Sequence, residues 1–137
     1  MGWNQNHSES ERFASQAEVA ARAGRRKRAA ELYREAAEAE RRALAAIDPL
    51  KIRTLGITAV SAVSLYYKAA ERAAAADIGQ RYLDAGSLPE FAQHQIREIL
   101  DVIRRERLDK EAKSARVHRT GRDSRVGLAG QIGRKQP

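Results

Sequence analysis

Apolar and polar positions along this chain follow the 3.6-residue period of amphipathic helices, and end signals divide the pattern into five segments. Ser8 and Glu11 fit an S-x-x-E capping box, in which each side chain reaches the other residue's backbone N–H. Phe13, Ala17, Ala20 and Ala21 then fall at i, i+4, i+7 and i+8, and Gly24 can take the left-handed conformation that ends a helix. In the second segment Ala29, Leu32, Tyr33, Ala36, Ala43, Leu44 and Ile47 form one stripe. Glu31, Arg34, Glu35, Glu38, Arg41 and Arg42 lie opposite, with Glu38 and Arg42 in the favourable i,i+4 order. Asp48-Pro49 predicts a stop and a new start, with Asp48 as N-cap and Pro49 at the first helical position.

The third segment, residues 50–68, is the ambiguous one. Ile52 to Val60 is rich in β-branched residues and contains Gly56, so a strand is conceivable. A lone strand among helices would leave its backbone groups unpaired. Ile52, Leu55, Ala59, Ala62, Val63 and Tyr66 keep helical spacing, and further apolar residues on other faces predict a central helix buried on several sides. A fourth helix is expected over 71–85, ending at Gly86, and a fifth opens at a second capping box, Ser87-x-x-Glu90, continuing as a polar helix to about Ala115.

Composition sharpens the fold class to all-α. Alanine supplies 26 of the 137 residues and aromatics only 5%, which suits helices in close contact and not a β-rich core. With no cysteine, disulfides and thiolate metal sites are excluded. No apolar run approaches the length that spans a bilayer, and the first residues lack a secretory pattern, so the expectation is a cytoplasmic protein with no membrane partner.

The net charge of +8 is unevenly placed. Residues 1–103 carry 15 basic and 14 acidic side chains, whereas residues 104–137 carry 11 and 4. Arg104, Arg107, Lys110, Lys113, Arg116, Arg119, Arg122 and Arg125 recur at every third position, followed by Arg134 and Lys135. On an α-helix such a row spirals around the axis, whereas a polyproline-II segment gathers it on one edge. Glycines beyond Thr120 argue against a continuing helix. The organisation expected is therefore a flexible N-terminus (1–7), a helical domain (8–112) and a basic, mostly disordered tail (113–137). Contact with RNA or DNA phosphates, or with an acidic protein, is the use such a tail suits. It has no aromatic residue to stack on bases, so sequence-independent contact is expected.

The first two helices resemble a tetratricopeptide repeat (TPR). Phe13 and Ala17 before Gly24, then Ala29, Tyr33 and Ala36, stand at that family's spacings. A second unit aligns through Ala59, Val63, Tyr66, Ala75 and Tyr82, with Ala70 where the turn glycine belongs and Gly79 where an aromatic is usual. The offset between units is 46 residues, longer than the family's 34. The stretch from Leu55 to Ile103 is also similar to small bacterial TPR-like proteins. The resemblance implies an antiparallel α-α superhelix, with a plain helical bundle as the alternative. It also implies a groove lined by Glu11, Ala14, Glu18, Ala21 and Arg22 from the first unit and by Ile57, Val60, Ser64, Tyr67 and Lys68 from the second. Such a groove suits a helix or extended segment of a protein partner. The competing use of Ile57 and Val60 is packing against the fifth helix, and a homodimer through the third helix is a further alternative.

No catalytic constellation is legible. His7, His94 and His118 show no metal-ligand spacing, and His94 with Glu90 forms an i,i+4 surface pair. Ser61 and Ser64 have no histidine near them in sequence, and the C-terminal glycines do not form a phosphate loop. The expectation is a non-enzymatic adaptor without metal or cofactor, with a nucleic-acid-binding accessory protein acting through the C-terminus as the alternative. Trp3 is left either as a cover for the first helix pair or as an exposed anchor.

Overall fold

Helix ends set the frame of this molecule. The computed structural model describes residues 2–135, with side chains to residue 118. It contains α1 (Trp3–Arg22), α2 (Arg26–Ala45), α3 (Ile52–Lys68), α4 (Arg72–Ala85) and α5 (Glu90–Lys135), and no strand among the described residues. The chain divides into two units, residues 1–103 and 104–137. The compact helical unit thus closes at Ile103, nine residues short of the boundary expected at 112, because the side chains of residues 107–118 are all exposed.

The α1–α2 turn closes as a Schellman motif. Gly24 sits at φ +77°, its N–H donating to the Ala21 carbonyl at 3.0 Å, and the Arg25 N–H reaches the Ala20 carbonyl at 2.9 Å. The α3–α4 turn repeats this geometry 46 residues later. Ala70 N–H donates to Tyr67 at 3.0 Å and Glu71 N–H to Tyr66 at 2.9 Å, with Ala70 at φ +62°. Alanine there carries the steric cost that glycine avoids. The two hairpins are register-equivalent units: α1 and α3 end at Arg22 and Lys68, and α2 and α4 begin at Arg26 and Arg72.

Small side chains bring the helices together. Ala17, Ala36, Ala37, Ala39, Ala43, Ala59, Ala62, Ala75 and Ala92 are all fully buried, between larger fillers such as Leu44, Val63, Tyr66 and Ile96. Segment 52–68 is helical, and its buried residues spread around the axis, as expected of the central element. Two glycines admit α5. A Cβ on Gly56 would stand 2.6 Å from Pro89 Cγ and 3.1 Å from Ala92 Cβ, and one on Gly79 would meet Ile96 at 3.0 Å. A side chain at Gly79 would crowd Ile96 and Leu100 of α5.

Several local expectations are corrected. α1 begins at Trp3, not after Ser8, so residues 3–7 are its first turns and not a flexible end; burial of Asn6 and Ser10 holds them in place. Asp48 does not cap α3: its Oδ1 accepts from the Leu50 N–H at 3.0 Å and its carbonyl from Lys51 at 2.9 Å, forming a separate turn, and α3 starts at Ile52. α5 starts at Glu90 and not after Ser87, because Leu88 is buried and Pro89 presses on Gly56. Glu38 pairs with Arg41 at 2.9 Å and not with Arg42, which turns toward α1. His94 pairs with Glu98 at 2.9 Å and not with Glu90. α5 is helical through residues 113–118, close to the end expected near Ala115, and the side chains from 119 onward lie outside the described residues.

Two substitutions test this frame by chemical denaturation. Ala70→Gly is expected to stabilise the fold by about 1 kcal/mol, since it relieves the left-handed strain at that turn. Gly56→Ala is expected to cost about 1–3 kcal/mol, because the Pro89 ring must move.

Candidate functional site

The α1, α2 and α3 helices meet at a buried carboxylate. Glu40, on the inner stripe of α2, is only 1% exposed. Its Oε2 accepts from Ser61 Oγ of α3 at 2.8 Å, and its Oε1 lies 2.9 Å from His7 Nδ1 of α1. The other ring nitrogen, Nε2, lies 3.2 Å from Glu11. A neutral imidazole donates from one nitrogen only, so the imidazolium is the form that satisfies both carboxylates. Burial by itself would lower the His7 pKa; hydrogen bonding and charge from Glu40, with the charge of Glu11, together raise it above the ordinary 6.5. Trp3 stacks on His7 with ring centroids 4.7 Å apart and donates from Nε1 to Thr58 Oγ1 of α3 at 3.1 Å. Trp3 is therefore a cover for the helix pair and not a free anchor. Arg42 Nε extends the network to Asn6 Oδ1 at 3.4 Å, and no buried side-chain N or O among the described residues lacks a partner.

Chemically, this junction clamps and does not activate. In a nucleophile-activating triad the imidazole stands between hydroxyl and carboxylate. Here the Ser61 hydroxyl donates its hydrogen bond to Glu40, and both imidazole nitrogens face carboxylates. The effect is to fix α1 against α3 through α2. No group of His, Asp and Glu that could hold a metal occurs among the described residues. The sequence shows Glu40 only as one more acid of α2; its inward position was legible from helical phase, since it lies four residues after Ala36 and four before Leu44.

The residues expected to line a groove fall on equivalent positions of α1 and α3, 46 apart. Glu11, Glu18, Arg22, Ile57 and Lys68 are exposed, whereas Ala14, Val60, Ser64 and Tyr67 are half-buried. Lys68 Nζ stands 5.7 Å from the Tyr33 ring centre and Arg72 stands 5.3 Å from that of Tyr67, so the ends of α3 and α4 carry cations over aromatic faces. α5 does not cover Ile57. Its contact with α3 is made through Gly56, leaving Ile57 48% exposed. Phe91, next to the same contact from the α5 side, is 40% exposed. Ile57 and Phe91 each stand one residue from the Gly56–Ala92 contact, on α3 and α5 respectively. Phe91 is the member of this pair that sequence reasoning missed, for only the α3–α5 contact shows where it lies.

Cavities sit elsewhere on the helical unit. One of ≈ 580 Å³ lies between the first turn of α1 and the α2–α3 connection, around Trp3, Ile47, Lys51 and Thr54. Another of ≈ 410 Å³ lies between α2 and α4, around Arg34, Arg41, Tyr66 and Arg81. In the second, Arg41 donates to Glu38 and to the Tyr66 hydroxyl, Arg34 stands 4.0 Å from Glu71, and Arg81 bonds Asp77. Of the basic residues expected to contact nucleic acid or an acidic partner, Arg104, Arg107, Lys110, Lys113 and Arg116 are exposed on α5. Being helical, they wind around its axis and do not align on one edge. The side chains of Arg119, Arg122, Arg125, Arg134 and Lys135 lie outside the described residues.

No protein-family model, curated protein or solved structure matches this chain.

The His7 junction sets a pH dependence with a definite sign. A raised folded-state pKa contributes stability that is fully present below about pH 6.5 and is lost as pH rises through the folded value. Denaturation midpoints measured from about pH 6 to pH 8.5 are expected to fall more in the wild type than in His7→Gln. At pH 6, His7→Ala is expected to cost about 1–3 kcal/mol, because Glu40 loses its cationic partner.

Proposed function

We propose that this protein is a non-catalytic adaptor that holds a helical segment of a protein partner on the outward face of α1, α3 and α5, in the manner of TPR-like proteins. The observation that carries this reading is the pair of large apolar side chains, Ile57 and Phe91, left exposed on either side of the α3–α5 contact. An isolated exposed apolar residue is ordinary, but two flanking one seam, with Val60 half-buried beside them, make an anchoring strip. The repeated hairpins supply a rigid mount for it, since their turns and helix ends coincide in register. The acid pair Glu11 and Glu18 on α1 disfavours a carboxylate-terminal peptide and favours a segment whose own charges are basic at that edge. The basic residues of α5 add electrostatic attachment. Among the described residues no helix is long and apolar enough to cross a membrane.

The test is affinity capture with full-length protein, comparing wild type, Ile57→Glu, and a variant with Lys110, Lys113 and Arg116 all changed to alanine. Ile57→Glu is expected to abolish capture while changing stability by no more than about 0.5 kcal/mol, since the side chain is exposed. The α5 variant is expected to weaken capture without abolishing it. Undiminished capture by Ile57→Glu would sink the proposal. Light scattering on the same proteins identifies a second copy of the chain as the occupant if the wild type is dimeric and Ile57→Glu is monomeric.

A further inference from the structure

Within the nearly neutral helical unit, one turn concentrates positive charge. Arg22, Arg25, Arg26, Lys27 and Arg28 lie within seven residues that contain no acid, and they are five of the 15 basic side chains among positions 1–103. All five are exposed. Elsewhere in this unit Arg34, Arg41, Arg42 and Arg81 each meet a carboxylate. At this turn only Arg28 does, bonding Glu31 at 3.3 Å. Arg22, Arg25, Arg26 and Lys27 have no carboxylate partner among the described residues, although Glu18 stands one turn before Arg22.

Helix stability does not account for this placement. Arg25 to Arg28 occupy the N-cap and first turn of α2, where the helix dipole favours acids, and α2 has neither an acid in that turn nor a side-chain cap. The sequence thus tolerates mutual repulsion at this turn.

We infer that the α1–α2 turn is a docking surface for the phosphate backbone of a nucleic-acid duplex, bound without regard to sequence. This surface uses none of the apolar residues of the partner face, and it does not rest on the adaptor reading. Four of the five cations are arginine, whose planar fork bonds phosphate oxygens in pairs. The residues between them, Ala23 and Gly24, are small, so a phosphate backbone can approach the chain closely. No exposed aromatic stands among them to stack on an unpaired base, which favours a duplex over a single strand. An anionic membrane would require an apolar anchor beside the charges, and Val19 is the only large exposed apolar residue near this turn.

The test uses full-length protein carrying Arg25→Glu, Arg26→Glu and Lys27→Glu together, titrated against a labelled duplex of mixed sequence by fluorescence anisotropy. At low salt the wild type is expected to bind, with affinity falling steeply between about 50 and 200 mM. The triple variant is expected to bind roughly tenfold or more weakly, with the slope of log K against log salt reduced by about 2–3. Its melting temperature is expected to be unchanged or raised, because acids suit the start of α2, so lost binding is not lost folding. Affinity and slope equal to wild type would assign all binding to α5 and overturn the inference. So would absence of duplex binding at about 50 mM salt, or binding to phosphatidylserine-rich vesicles in preference to duplex. Partner capture by the triple variant reads the adaptor proposal independently.

Discussion

Close approach of helices through their smallest side chains is the constraint from which the rest of this structure follows. Fully buried alanines occupy the contacts of α1 with α2, of α2 with α3 and of α3 with α4, while an added methyl group would clash with Pro89 at Gly56 and crowd α5 at Gly79. Such contacts gain dispersion from many near neighbours but little area per residue, at about 0.8 kcal/mol for each buried methyl-sized group. Alanine faces are also poorly specific, because one sliding register resembles the next. A fold built this way needs other devices to fix which helix meets which, and at what height.

Two such devices are present. The Schellman turns at Gly24 and Ala70 lock each hairpin by hydrogen bonds at its closed end. The Glu40 junction locks the open side, where one buried carboxylate draws donors from α1 and α3 together. A buried charge is costly and its partners must be placed well, so it tolerates few registers. These bonds join α1, α2 and α3 at defined heights within a core rich in small apolar side chains. Polar bonds also explain why α1 extends back to Trp3: its first turns are held by the Trp3, Asn6 and His7 contacts and not by a capping box.

The same economy shapes the surface. Because α5 enters through two glycines, it covers the seam of α3 at Gly56 without reaching around to Ile57, and an apolar strip stays open beside Phe91. Charge is distributed on a similar plan. The cleft between α2 and α4 pairs its arginines with acids, whereas the α1–α2 turn sets Arg22, Arg25, Arg26 and Lys27 outward without a carboxylate partner among the described residues. A protein arranged this way separates an apolar contact face from cationic ones, and the two kinds of surface can be addressed by different substitutions.

The chain's own pattern determined the all-α class, the five helices and the stops of α1, α3 and α4, since periodicity and left-handed turn residues are local properties. It also carried the 46-residue offset, because Gly24 and Ala70 stand at equivalent points. Helix starts were not local: the capping boxes at Ser8 and Ser87 were overridden by Asn6 packing under α2 and by Pro89 packing on Gly56. Nor could spacing in sequence show that His7, Glu40 and Ser61 meet, or that Phe91 and Ile57 stand beside one contact. Those proximities join residues on different helices, and they depend on how far one rod rotates and slides against another. In an alanine-rich fold that choice is made by glycine clearances and a buried carboxylate, and only the assembled tertiary structure expresses it.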